Sequence, residues 1–215
     1  GLGQDRFELL ALACRAAGLD SYVRLAPTDY ASVMRPMEAG VGGIMAAQVR
    51  TPEEVRRIAS WTRYPPLGIR GLNLSNREGK YANVSIPQLI EEANRERWLS
   101  VQIETAEALE QVEAIAAIDG VDHLFVGPAD LSIALGVPGD FLNPKCLAAI
   151  DRIAAAVKKA GKSWGGLVRG KEHAAAFAAR GCQLFAPASD VAVINAGFKA
   201  LRGEYAELFS APGAE

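Results

Sequence analysis

Histidine and cysteine are scarce, two and three among 215 residues, and each scarcity removes a class of protein. Cys14, Cys146 and Cys182 are an odd number with no Cys-x-x-Cys spacing, which argues against a disulfide framework and a structural zinc site. They read as reduced thiols on core or helix faces. His123 opens an apolar run and His173 begins a helical one, so neither is set up as a catalytic base, and no cysteine has a histidine partner for thiol chemistry. A surplus of one charge is also missing: 23 basic residues against 25 acidic ones give a formal −2, and the basic ones are scattered. Nucleic acid and anionic membranes are therefore poor partners. No apolar run approaches the roughly 18–20 residues of a membrane span, and Gly1-Leu2-Gly3-Gln4-Asp5 lacks the layout of a signal peptide, which points to a soluble, cytoplasmic protein.

What is present is a chain 50% apolar and 22% charged, enough for one domain over 1–215 with an ample core. Short apolar runs alternate with longer amphipathic stretches, the rhythm of βαβ units. Strands are predicted at 22–26, 43–47, 99–103, 123–126, 165–168 and 183–187, nearly continuous in hydrophobicity, as parallel strands covered on both faces should be. Helical spacing is found at 5–17, 30–39, 52–62, 86–95, 106–118, 144–159, 172–180 and 191–201. Thr51-Pro52-Glu53-Glu54 supplies an N-cap, a first-turn proline and two acids against the helix dipole. Six βα units behind an opening helix suit an open doubly wound sheet or a (β/α)8 barrel lacking its first strand, helix and second strand. No Gly-x-Gly-x-x-Gly or Walker-type loop follows any strand, which removes the main reason to prefer the open sheet and favours the TIM barrel. The stretch 64–85, rich in Pro, Gly, Asn and Arg, is a long connection of the kind that often carries function.

In either architecture the site lies at the carboxyl ends of the strands, so polar residues that terminate apolar runs are the candidates. Arg24, inside Tyr22-Val23-Arg24-Leu25, needs an anion, either a substrate carboxylate or a structural ion-pair partner. Gln102 and Glu104 alternate to one side of 99–103, with capping of the next helix as the plainer role for Glu104. Asp130 follows the Gly127-Pro128-Ala129 turn, whose backbone N–H groups could face a ligand, and an N-cap is its plainer role. Glu104 and Asp130 end consecutive strands. Two close carboxylates need a shared proton, an arginine or a divalent cation between them, and hard oxygen donors with room for water suit Mg²⁺ or Mn²⁺, with Co²⁺ possible. Such a cation could bind a 2-oxo acid and stabilise an enolate. None of the seven lysines falls within a strand, which argues against a Schiff-base aldolase.

Arg63-Tyr64-Pro65-Pro66-Leu67-Gly68-Ile69-Arg70-Gly71, then Val101-Gln102-Ile103-Glu104-Thr105, then Gly127-Pro128-Ala129-Asp130-Leu131-Ser132 closely resemble the HpcH/HpaI family of metal-dependent pyruvate aldolases. The resemblance implies a (β/α)8 barrel and cleavage of 4-hydroxy-2-oxo acids to pyruvate and an aldehyde. It also implies a homo-oligomer, a hexamer or trimer of dimers, in which the last helix, about 190–209, is exchanged between subunits. By the same resemblance Glu104 and Asp130 hold the metal, Arg24 contacts pyruvate beside Gln102, and Gly127, Pro128 and Ala129 line the pyruvate site. Leu167 looks like the apolar residue near the aldehyde pocket. Two departures accompany it. The family's opening strand, helix and second strand, with an acidic residue and a histidine near the metal, have no counterpart here, and Gly1 looks like the residue just after them. Arg169 stands where many relatives have a small residue. The first departure leaves two accounts, a sequence lacking an N-terminal piece of the natural protein or a shortened, non-catalytic metal- and pyruvate-binding relative. A lyase acting on coenzyme A thioesters, of the citrate lyase β type, is the other alternative, with Arg63, Arg70 and Arg77 as the basic residues available for phosphates.

Overall fold

The computed structural model describes residues 4–209, so the comparison made at Gly1 lies outside the described residues. Helix α1 (Gln4–Ala16) precedes β1 (Tyr22–Leu25), α2 (Tyr30–Glu38), β2 (Gly43–Ala46) and α3 (Pro52–Thr62). After the long connection come α4 (Ile86–Glu96), β3 (Trp98–Ile103), the short helices α5 (Ala106–Glu110) and α6 (Val112–Ala116), and β4 (His123–Val126). The chain continues through α7 (Pro128–Ala134), α8 (Pro144–Lys159), β5 (Ser163–Leu167), α9 (Gly170–Ala178), β6 (Leu184–Ala186), α10 (Asp190–Glu204) and α11 (Ala206–Phe209). All six predicted strands form, each parallel to the next, in the order β1-β2-β3-β4-β5-β6. β1 and β6 are the edges of this sheet, so the described residues form a curled α/β half-barrel and not a closed eight-stranded barrel.

Two faces of the sheet divide the work. Ile44, Leu99, Val101, Leu124, Val126 and Trp164 point outward and are buried against Met37 of α2, Ile58 of α3, Ile115 of α6, Ile153 of α8 and Phe177 of α9. Each such side chain contributes about 1.5–3 kcal/mol on leaving water. Because Cβ direction alternates along a strand, the intervening residues form the opposite, inner face: Ser100, Gln102 and Glu104 from β3, His123, Phe125 and Gly127 from β4. His123 is buried there with Nδ1 2.9 Å from Ser100 Oγ. Burial pushes its pKa down to about 4, so it is neutral at pH 7.

Three local departures from the sequence-based expectation have identifiable causes. The stretch 106–118 breaks into α5 and α6 at Gln111, whose φ and ψ of −115° and 18° leave the helical region. The Gly127-Pro128 turn continues into α7, with Pro128 in the first turn, where its missing N–H costs nothing. The long connection is pinned from within: the Arg70 guanidinium pairs with both carboxylate oxygens of Glu78, lies 4.8 Å from the Tyr64 ring centre, and shares Glu78 with Arg97 Nε at 3.1 Å. Arg63 bonds Asp122 at 2.7 Å. Arg63 and Arg70, two of the three arginines considered for coenzyme phosphates, are thus committed to structural ion pairs.

Candidate active site

The site grows from the carboxyl end of β3. Gln102 and Glu104 both face inward, and Thr105, not Glu104, caps α5 by accepting from Ala108 N–H. Glu104 is therefore free of the plainer role. Its side chain is fully buried, and burial raises its pKa above the usual carboxylate range, with Asp130 adding repulsion. Hydrogen bonds from Gln48 and the charge of Arg24 act the other way. Gln48 donates both its backbone N–H and its side-chain amide to Glu104 Oε1, each at 2.9 Å. It does so with φ at +59°, a left-handed conformation that costs a non-glycine residue energy and that the two bonds help hold. The sequence reading missed Gln48. The signal available was a polar residue just past the apolar run of β2.

The Gln102 amide links the cluster. Its Oε1 accepts from Arg24 Nε at 2.6 Å and its Nε2 donates to Glu104 Oε2, which fixes the amide orientation. Arg24 crosses the inner face from β1 to reach it and lies 3.7 Å from Glu104 Oε1. With 52% of its side chain exposed, Arg24 is both the ion-pair partner and a guanidinium open to a second anion. Gly127 makes this arrangement possible, since a Cβ there would sit 2.5 Å from Glu104 Oε2 and closer still to Gln102 Nε2. Asp130 lies in the first turn of α7 after the N-cap Gly127, and no side chain caps that helix, so Asp130 is exposed and uncommitted. Ser132 braces the turn by bonding Ala129 O at 2.7 Å and receiving Gly139 N–H at 3.0 Å.

Arg24, Gln102, Glu104, Gly127, Pro128, Ala129, Asp130 and Leu167, the residues expected around the metal, pyruvate and aldehyde, line one cleft of about 380 Å³, joined by Arg169 and by Phe125 at its wall, whereas Arg63, Arg70 and Arg77 do not line it. That a single cleft draws residues from β1 through β6 reflects the curl of the sheet. Among the described residues no third histidine, cysteine, aspartate or glutamate joins Glu104 and Asp130 as a metal-binding group. The donor set nonetheless fits a hard divalent cation that keeps several waters, because the two carboxylates repel each other and the missing side chain at Gly127 lets the Glu104 carboxylate reach the cleft.

A parallel α/β sheet with its polar cluster at the strand carboxyl ends defines the class of α/β proteins whose ligands bind at that edge. Within that class the chain belongs to the HpcH/HpaI aldolase/citrate lyase family, whose model matches residues 8–196. It is 38% identical over 183 residues, 85% of this chain and 72% of the relative, to a hydroxypyruvate/pyruvate aldolase of Sagittula stellata. It is 33% identical over 190 residues, 88% of this chain and 73% of the relative, to a 5-keto-4-deoxy-D-glucarate aldolase of Klebsiella pneumoniae. The fold superposes on an HpcH/HpaI aldolase from Desulfitobacterium hafniense with a TM-score of 0.88 at 28% identity, covering 100% of this chain and 82% of that one.

Proposed function

We propose that the chain is a class II pyruvate aldolase, an aldehyde-lyase that cleaves 4-hydroxy-2-oxo acids to pyruvate and an aldehyde. The observation that carries this reading is the buried Glu104 held by Gln48, Gln102 and Arg24 beside Asp130 in one cleft. Glu104 and Asp130 would hold Mg²⁺ or Mn²⁺, with Co²⁺ also compatible, and such a cation supplies Lewis-acid stabilisation of negative charge developing on a substrate oxygen. Arg24 binds the carboxylate of the pyruvyl half through the part of its guanidinium not engaged by Gln102. In the cleavage the 4-hydroxyl gives its proton to water, the C3–C4 bond breaks as the aldehyde forms, and its electron pair becomes the C2–C3 double bond while the carbonyl pair moves onto the C2 oxygen to give the enolate. A proton returned to C3 completes pyruvate. Gln102 holds Arg24 and Glu104 in register throughout, and the apolar wall of Phe125 and Leu167 shields the reacting carbons from water.

Pyruvate release from a racemic 4-hydroxy-2-oxo acid tests the reading. Release should stop with EDTA and return with excess Mn²⁺; a chain that binds Mn²⁺ but releases no pyruvate would instead be the non-catalytic relative.

The same reading includes a homo-oligomer. No residue of α10 is buried, and Val191, Val193, Ile194, Phe198 and Leu201 are all at least half exposed. So much apolar surface on one helix suits burial against another copy of the chain. Light scattering should give a mass well above the 22.8 kDa of one chain, and Phe198→Glu should lower it; a monomer in both cases would contradict this.

A further inference from the structure

The two oxygens of the Glu104 carboxylate have different neighbours, and the difference follows from strand order. β3 lies between β2 and β4. Oε1 is turned to the β2 side, where Gln48, two residues past the end of that strand, gives it a backbone N–H and a side-chain amide, each at 2.9 Å. Oε2 is turned to the β4 side, 2.5 Å from where a Cβ on Gly127 would sit, and among the described residues it accepts the Gln102 amide alone. Asp130 stands on that same side, in the first turn of the helix that follows β4.

An ionised carboxylate offers about two acceptor positions on each oxygen. Gln48 fills both on Oε1 and Gln102 one of those on Oε2, which leaves a single position, on the side of Asp130. Arg24 Nη2 stands 3.7 Å from Oε1, beyond hydrogen-bond length, and its positive charge repels a cation from that oxygen as well. The backbone of Gln48 points the same way. Its φ of +59° is left-handed, a conformation that glycine adopts without steric cost, and Gln48 is exposed. Folding alone would be served as well by glycine. What glycine lacks is the side-chain amide, the second of the two bonds to Oε1.

We propose that Gln48 is a positioning residue that closes Oε1 to the cation, so that Glu104 binds through Oε2 alone and the site discriminates against Ca²⁺. This rests on the metal-dependent reading above. Ca²⁺ takes roughly six to eight oxygen ligands and commonly both oxygens of one carboxylate, whereas smaller cations such as Mg²⁺ keep a compact octahedron completed by water. A carboxylate with one open position suits the second kind of ion and denies the first its bidentate contact.

Calorimetric titration with Mn²⁺ and with Ca²⁺, in the absence of substrate, tests this on the unaltered protein, Gln48→Gly and Gln48→Met. Glycine accepts the left-handed backbone and keeps the N–H bond while deleting the amide; methionine keeps the length of the side chain without its donor. The unaltered protein should bind Mn²⁺ at least about tenfold more tightly than Ca²⁺, and both variants should lower that ratio about five- to tenfold, chiefly through tighter Ca²⁺ binding. Gln48→Gly should unfold at no lower temperature than the unaltered protein, since it removes no buried contact and relieves the left-handed backbone. A ratio that stays within about twofold in both variants, or one that falls through weaker Mn²⁺ binding alone, would overturn the assignment and leave the metal site standing. Mn²⁺ binding to none of the three proteins would overturn the metal site itself and this inference with it.

Discussion

Glu104→Gln should cut pyruvate formation by on the order of 1,000-fold, about 4 kcal/mol of transition-state stabilisation, and abolish tight Mn²⁺ binding. The variant keeps the shape of the side chain and an acceptor for both Gln48 donors, but it loses the charge that a cation needs. Two effects on stability oppose each other. The new amide meets the Gln102 Nε2 donor with a mismatch, whereas the buried charge is relieved, so without metal the net change should stay within about 1–2 kcal/mol. The direction with pH is fixed by the raised pKa of Glu104: its protonated form is favoured in the fold, so its contribution is fully present below the unfolded pKa and is lost as pH rises through the folded one. The unaltered protein should therefore gain on the variant as pH falls. Urea unfolding at two pH values, read beside the activity assay, checks both statements. Near-normal turnover in the variant would remove Glu104 from the chemistry.

Glu78→Ala should be the most damaging single change outside the cleft. The Arg70 side chain has no exposed surface and the Glu78 side chain is 2% exposed, so the substitution leaves a buried guanidinium without its anion while Arg97 adds like charge nearby. Removing one partner of such a pair costs about 3–5 kcal/mol, which corresponds to a fall in Tm of roughly 6–20 °C for a domain of this size. Replacing both partners, as in Arg70→Met with Glu78→Leu, should recover much of the loss, because the expense lies in the orphaned charge. A fall of less than about 1 kcal/mol for Glu78→Ala in urea unfolding would mean that the connection is not held in this way.

These two cases mark what could be read from the chain. Glu104, Asp130, Gln102 and Arg24 were legible because they interrupt or end apolar runs, and a parallel sheet puts every such ending at one edge. The six strands were legible for a related reason, being covered by helices on one side and lining the inner face on the other. The structural role of Arg63 was not legible because its partner Asp122 lies 59 residues away, a distance over which spacing carries no signal. Gln48 escaped because its contribution depends on a left-handed backbone that only the fold imposes on a residue other than glycine. Helix α7 escaped because seven residues opening with Pro128, directly after Gly127, read as a turn. Sheet closure was equally out of reach: strand count and order follow from periodicity, but whether edges meet depends on strand tilt and stagger.

The central claim is that Glu104 and Asp130 hold a cation on which pyruvate enolisation depends, and it can be tested without knowing the aldehyde. Pyruvate incubated with the protein in D₂O and Mg²⁺ should exchange its methyl hydrogens for deuterium well above the buffer rate, as followed by mass. Exchange should stop with EDTA and in Asp130→Ala. Exchange no faster than buffer with the cation present, or exchange indifferent to EDTA and to Asp130→Ala, would contradict the account.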